Sequence, residues 1–477
     1  MSYTSISYLV FILLGAFIVY NIVPLKHRWK VLLAFSYLFY FINSGRYIIF
    51  ILFGSLTIYV GGLLINKIDD GCSMARKALP KENKKEYKAL IGWQKKCVCV
   101  CVVLVNVGIL VFLKYSVFLG QVFTDVLGLI HINVENPMYQ RMMPLGISFY
   151  TLSAVSYIVD VYRGKYRASD KFGKVALFLA FFPHIVEGPI ARFDLVGEQM
   201  YEGHRFSYEN MTMGLQLILW GFFKKIVIAD RANMYVNQIF DNYASYTGLP
   251  VVVGMLLYTL QLYAEFSGCM DIVRGSAQMF GIGLSENFNQ PFISKTVSEF
   301  WRRWHMTLGA WFKDYVFYPV VTLKPLEKLT SAARKRLGNH YGPLLASAVA
   351  LFCVWFCNGL WHGAAWSYLF FGMYHFVLIL IGNIIAPPVR AVNARLHIRA
   401  ESFPYRLLQM LRTTVLVIIG ELFFRANGLR AGMQMFRTMV TGFAFPVFDD
   451  ALFKALGIDK FDLMIVAVTL PVSYTHL

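Results

Sequence analysis

Three stretches of this chain, Tyr8 to Val23, Tyr47 to Ile65 and Cys97 to Leu113, carry no charged side chain at all. A helix needs roughly 17–25 predominantly apolar residues to cross a bilayer. Lipid offers the backbone no hydrogen-bond partner, so such stretches are expected as helices. Composition agrees, because only 15% of residues are charged while 57% are hydrophobic, whereas a soluble domain carries about a quarter charged. Further candidate spans are Val31 to Ile42, Leu145 to Val159, Val175 to Ile190, Met213 to Ile228, Val251 to Phe266, Leu344 to Leu360, Ser367 to Ile381 and Thr413 to Phe424. Several are short, and Val175 to Ile190 is interrupted by Pro183 and Pro189. Broken segments of that kind are expected as re-entrant pieces wrapped by protein. The predicted fold class is therefore all-α: a polytopic, multi-span transmembrane helical protein with re-entrant or interfacial helices. With no internal repeat, low-complexity tract or Gly/Ser linker, residues 1–471 read as a single membrane-embedded domain.

The net charge of +18 would suggest nucleic acid in a soluble protein. Here the basic residues fall between apolar blocks, as in cytoplasmic loops, so nucleic acid is not an expected partner and membrane lipid is. Lys26, Arg28 and Lys30 follow the first span. A basic stretch from Lys67 to Lys96, with Arg76, Lys77, Lys81, Lys84, Lys85 and Lys88, follows the third. The positive-inside rule places these loops in the cytoplasm and the N-terminus outside; the basic segment Tyr162 to Lys174 fits the same side. Met1 to Ser7 lack a basic region and no small-x-small cleavage site follows, so the first span is expected to be retained. Cys97, Cys99 and Cys101 alternate with valines, and alternate helix positions diverge, so they read as small apolar fillers and not as metal ligands.

The last residues, Val472 to Leu477 (VSYTHL), resemble the translation of a transposon-type sequencing adapter. They are expected to be a non-native scar, with Phe461 to Leu470 the beginning of a truncated span, and such a segment is kept out of fold reasoning.

A long polar stretch runs from Ser285 to Gly342. Within it Phe300, Trp301, Trp304, Leu308, Trp311 and Phe312 recur at helical spacing, with Arg302, Arg303 and Lys313 largely off that stripe. The pattern predicts one interfacial amphipathic helix whose tryptophans sit in the headgroup layer. The basic part, Lys324 to Arg336, is expected as a cytoplasmic loop.

Serine-hydrolase elbows, Walker A loops, H-E-x-x-H and C-x-x-C are missing. What remains are histidines near or within apolar segments. His362, in CNGLWHGAAWSYLFFGMYH, lies between apolar runs, where an ionisable residue is costly and marks function by default. The competing reading is packing, with Gly359 and Gly363 as a G-x-x-x-G face and the imidazole bonding across helices. His305, in WRRWHMTL, reads equally as an interfacial histidine; His375 and His184 read as structural hydrogen-bonders. Glu265, Asp271 and Arg274 read as an internal ion-pairing group or as cavity lining.

Several longer motifs occur together: PLGISFYTLSAVSYIVDVYRG from Pro144, FFPHIVEGPIARF from Phe181, YAEFSGCMDIVRGSAQMFGIGLSENFNQPF from Tyr263, EFWRRWHMTLGAWFKDYVFYP from Glu299 and NGLWHGAAW from Asn358. In this order they resemble the membrane-bound O-acyltransferases, in particular the bacterial branch that holds the alginate O-acetylation protein and the teichoic-acid D-alanyltransferase. The resemblance covers about residues 144–375. It implies a helical fold around a central tunnel, with His362 as catalytic histidine and His305 as a second one. Trp304, Lys313, Asp314, Asn358 and Trp361 are implied to line substrate or tunnel. It further implies an acyl group, with acetyl expected, passing from a cytoplasmic thioester to hydroxyls of a cell-surface or exported polysaccharide at the bacterial cytoplasmic membrane. That donor is acetyl-CoA or an acylated carrier protein; no tightly bound cofactor is implied, and exported acyl-transfer proteins are possible partners. D-alanyl transfer to teichoic acid from a carrier protein is the alternative. A transporter or flippase without covalent chemistry is the reading from another class; it predicts inverted repeats, and none is seen.

Overall fold

The computed structural model describes residues 2–78, 80, 83–132, 134–136, 138 and 143–442. The scar expected at Val472 to Leu477 and the partial span expected at Phe461 to Leu470 lie outside the described residues. Among the described residues every named element is a helix. Seven helical stretches among the described residues are long and apolar enough to cross a membrane: Leu25–Cys72, Lys84–Leu129, Tyr208–Asp241, Leu249–Gln278, Lys324–His362, Trp366–Arg395 and Phe403–Arg425, with Tyr8–Ile22 a shorter apolar helix. Each takes up one or more of the apolar blocks, as backbone satisfaction in lipid demands.

The chain packs as two units, residues 1–219 with 271–285, and residues 220–270 with the remainder from 286. The first unit opens with a π-helical turn Tyr8–Leu14 running into α1 (Gly15–Ile22). Then come α2 (Arg28–Ser44), α3 (Ile48–Ala78), α4 (Lys84–Leu129), α5 (Ile147–Arg163), α6 (Phe172–Ala180), α7 (Phe193–Glu202) and most of α8 (Tyr208–Phe222). α3 and α4 extend into the basic stretch, so helix occupies most of what the sequence presents as a loop. Cys97, Cys99 and Cys101 on α4 are half-buried, buried and exposed, which shows how alternate positions diverge.

The candidate span Val175 to Ile190 is broken, as its prolines suggest. α6 ends at Ala180, before Pro183, and residues 181–192 continue without helix although most are buried. Pro183 has no N–H to bond and disfavours the helical conformation at Phe182. Neighbouring side chains answer the freed backbone groups. Ser36 Oγ accepts from Phe182 N–H (3.0 Å), Tyr3 Oη donates to the Phe182 carbonyl (3.0 Å), and Tyr3 Oη accepts from Val186 N–H (3.0 Å). Irregular backbone is tolerated at depth only where protein wraps it in this way.

The second unit contains α9 (Asp230–Asp241), joined to α8 by the π-helical turn Phe223–Ala229. It also holds most of α10 (Leu249–Gln278), the short helices α11 (Val297–Arg303), α12 (Met306–Phe312) and α13 (Tyr318–Val321), and then α14 (Lys324–His362), α15 (Trp366–Arg395), α16 (Phe403–Arg425) and α17 (Leu429–Thr441). One apolar cluster in it joins Tyr235, Ile239 and Phe240 of α9, Val251 and Met255 of α10, Leu422 and Phe423 of α16 and Met435 of α17.

Two sequence expectations are revised in this unit. Lys324 to Arg336 is helical, not a loop. It forms the first part of α14, and the chain bends at Gly338, whose φ of 77° is strained for any L side chain. The single amphipathic helix expected from Phe300 to Phe312 is two helices. It breaks at Trp304–His305, where His305 takes φ 47°, ψ 52°. The break is held by antiparallel pairing between Phe288 and Trp304, with Asn289 N–H on the Arg303 carbonyl (2.9 Å) and Met306 N–H on the Asn287 carbonyl (2.9 Å). Its apolar stripe is packed in protein: Phe300, Trp304, Leu308, Trp311 and Phe312 are all buried.

Candidate active site

His362 is the last residue of α14. A three-residue link follows, and α15 starts at Trp366. The two helices touch backbone to backbone because glycine stands at the crossing: a Cβ at Gly359 would lie 2.6 Å from the Tyr368 carbonyl oxygen, and one at Gly372 would lie 2.4 Å from that of Trp355. Small residues allow membrane helices this approach. The glycine partner of Gly359 is thus Gly372 on the facing helix. Gly363 lies past the end of α14, in extended backbone. The half-buried His362 ring stands edge-on to Phe424 of α16 (4.9 Å between centroids) and Phe371 of α15 (6.0 Å).

His305 sits in the break between α11 and α12 and is only 4% exposed. Its ring is edge-on to Phe266 of α10 (4.8 Å) and 5.8 Å from Trp361, which is itself 4.9 Å from His362. Trp361 therefore stands beside both histidines, one brought by the break and the other by the α14 terminus. His305 Nδ1 is 3.2 Å from Asn287 Oδ1, while Nε2 is buried with no hydrogen-bond partner. Burial first, and the charge of His362 second, push the His305 imidazole down to about 3, so the ring is neutral at physiological pH.

The other implied residues divide. Asn358, one turn before His362, is buried with Oδ1 unpartnered. Trp304 packs in an aromatic cluster, stacked on Phe300 (5.5 Å) and edge-on to Phe288 (5.1 Å). Lys313 is exposed and reaches over the Tyr318 ring (5.6 Å), and Asp314 follows it on a π-helical turn. His375 is wholly buried and hydrogen-bonds as its sequence setting suggests: Trp301 Nε1–H donates to its Nδ1 at 3.2 Å. His184, in the irregular segment of the first unit, is buried. Glu265 is ion-paired to Lys225 (2.6 Å), which also holds Asp230 (2.7 Å).

Among the buried polar residues that the sequence reading did not single out are Asn287, Glu421 and Lys224. Asn287 gave no signal, because a lone asparagine in a polar stretch has many roles. Glu421, 3% exposed and accepting from Thr259 Oγ1 at 2.5 Å, was legible in principle as a carboxyl inside an apolar run. Lys224, buried beside Ser267 Oγ (3.4 Å), carried the same signal.

Comparison with known proteins places this geometry in context. Residues 169–334 match the sequence profile of MBOAT, the membrane-bound O-acyltransferase family. A probable alginate O-acetylase of Pseudomonas aeruginosa is 34% identical over 299 residues, covering 62% of this chain and 52% of the relative. A peptidoglycan O-acetyltransferase of Helicobacter pylori is 28% identical over 364 residues, covering 71% and 63%. A teichoic acid D-alanyltransferase of Bacillus subtilis is 30% identical over 278 residues, covering 56% and 68%. The chain spans about half the length of the alginate-type relatives it matches.

Proposed function

Because this chain belongs to the membrane-bound O-acyltransferase family, we propose that it transfers an acyl group, acetyl in the first instance, from a thioester to hydroxyls of a cell-surface or exported polysaccharide. The observation that carries the reading is the placing of His362 and His305, from separate helices, around Trp361. In the reaction the acceptor oxygen attacks the thioester carbonyl carbon, the C–S bond breaks, and an ester and a thiol result. His362 takes the hydroxyl proton as the oxygen attacks and returns it to the departing sulfur. General-base help of this kind is worth about 10²–10⁴-fold.

The donor is acetyl-CoA or an acylated carrier protein, met from the cytoplasmic face. The acceptor is met from the other side through a tunnel, at the bacterial cytoplasmic membrane with the N-terminus outside. Exported proteins that carry the acyl group onward are the expected partners. A second reading, D-alanyl transfer to teichoic acid, is favoured by the likeness to the Bacillus subtilis protein. Surface glycans of wild-type and His362→Ala strains, stripped with mild base and analysed by mass, separate these readings. Loss of acetate in the variant supports acetyl transfer and loss of D-alanine supports the second reading. Unchanged acyl content, with the variant still present in the membrane, removes His362 from the chemistry.

A further inference from the structure

Asn287, 2% exposed, places its Oδ1 within 3.0 Å of Thr307 N–H, 2.9 Å of Thr307 Oγ1 and 3.2 Å of His305 Nδ1. A backbone N–H can only donate, so the Asn287 atom facing it is the oxygen, and the choice between the two amide orientations is settled by that contact. The same oxygen faces His305 Nδ1, which must then carry the proton. In the neutral ring Nε2 is left with a lone pair. His375 shows the opposite arrangement, since Trp301 donates to its Nδ1 and the proton is left on Nε2.

We propose that Asn287 is a positioning residue that holds His305 as its Nδ1–H tautomer, so that His305 Nε2 accepts a hydrogen bond from the acceptor alcohol and does not donate to the thioester carbonyl. This rests on the acyl-transfer reading and narrows it. A carbonyl oxygen only accepts, so polarising it would need a proton on Nε2. Burial opposes that protonation, and so does His362, the titratable group whose charge reaches the ring. The rings of Phe266 and Trp361 and the amide of Asn287 pack on His305. The Nε2 lone pair is therefore unanswered until a donor arrives. One hydroxyl has one proton, which His362 takes, so His305 receives a second donor of the acceptor, as the neighbouring hydroxyl of a sugar supplies. The substrate class that fits is an alcohol with a hydrogen-bond donor beside the reacting oxygen.

The test has an arm independent of activity. In purified protein labelled with 15N-histidine, with His305→Gln to assign the signal, His305 should show a protonated Nδ1 and a bare Nε2. In Asn287→Leu that preference should be lost. A proton on Nε2 in the unmodified protein overturns the proposal. In acyl-transfer assays Asn287→Leu should lower kcat/KM about 10–100-fold, the range for removing a partner that orients a functional histidine. Asn287→Asp, whose carboxylate still accepts from Nδ1–H and Thr307 N–H, should stay within a few-fold of wild type. In a His305→Asn background, which keeps the left-handed turn, Asn287→Leu should cost nothing more. An equal further loss there, or Asn287→Asp as impaired as Asn287→Leu, overturns it. If the unmodified protein transfers no acyl group, the functional reading falls and the nitrogen spectrum still decides the tautomer.

Discussion

Replacing Gly372 with alanine would set a Cβ 2.4 Å from the Trp355 carbonyl oxygen, an atom of helix backbone that no rotamer change can move aside. Close C···O contacts settle at about 3.3 Å, so α14 and α15 must part by about 0.9 Å at the crossing. Overpacking of this kind costs about 1–3 kcal/mol, and the better helix propensity of alanine returns up to about 1 kcal/mol. The fold should survive with modestly lower stability. The rate should suffer more, because α14 carries His362 less than two turns beyond Trp355, and a misplacement near 1 Å costs about 10²-fold. Gly382→Ala is the matched control: it lies on the same helix with nothing within 4 Å of its Cβ position. The expected result is about a 10²-fold fall in acyl transfer for Gly372→Ala with a lowered melting temperature in detergent, and near-wild-type behaviour for Gly382→Ala. Equal rates and melting temperatures for the two variants would refute the idea that this crossing positions His362.

Other outcomes follow from single contacts. Thr259→Val removes the donor to the buried Glu421 carboxyl and should cost about 1–3 kcal/mol in thermal unfolding, with Thr259→Ser restoring most of it.

The spans were legible because their cause is in the residues: an uncharged apolar block has few alternatives to a membrane helix. The break at His305 was not. The stripe from Phe300 to Phe312 keeps its period across the break because both short helices bury the same side. What parts them is pairing of Trp304 with Phe288, a contact no periodicity records. Lys324 to Arg336 hid for a different reason: without an apolar stripe a basic helix looks like a loop, and only the bend at Gly338 marks its end. The sequence singles out His362 as a costly residue between apolar runs, and His305 only through the longer motif around it. Their common neighbour Trp361 and the tautomer set by Asn287 needed the fold.

The left-handed backbone at His305 sets the rules for substitution at that position before any chemistry is considered. Asparagine, aspartate and histidine enter this conformation with comparatively little strain, glycine with none, and β-branched residues at high cost. A library of all amino acids at position 305, sorted only for protein abundance, should thus favour glycine, asparagine and aspartate over alanine, and alanine over valine and isoleucine. The tolerated alphabet here is written by the peptide backbone, so a depleted residue in a functional screen is evidence about catalysis only after that filter has been divided out. His305→Asn, not His305→Ala, is the variant that changes the imidazole while leaving the turn intact.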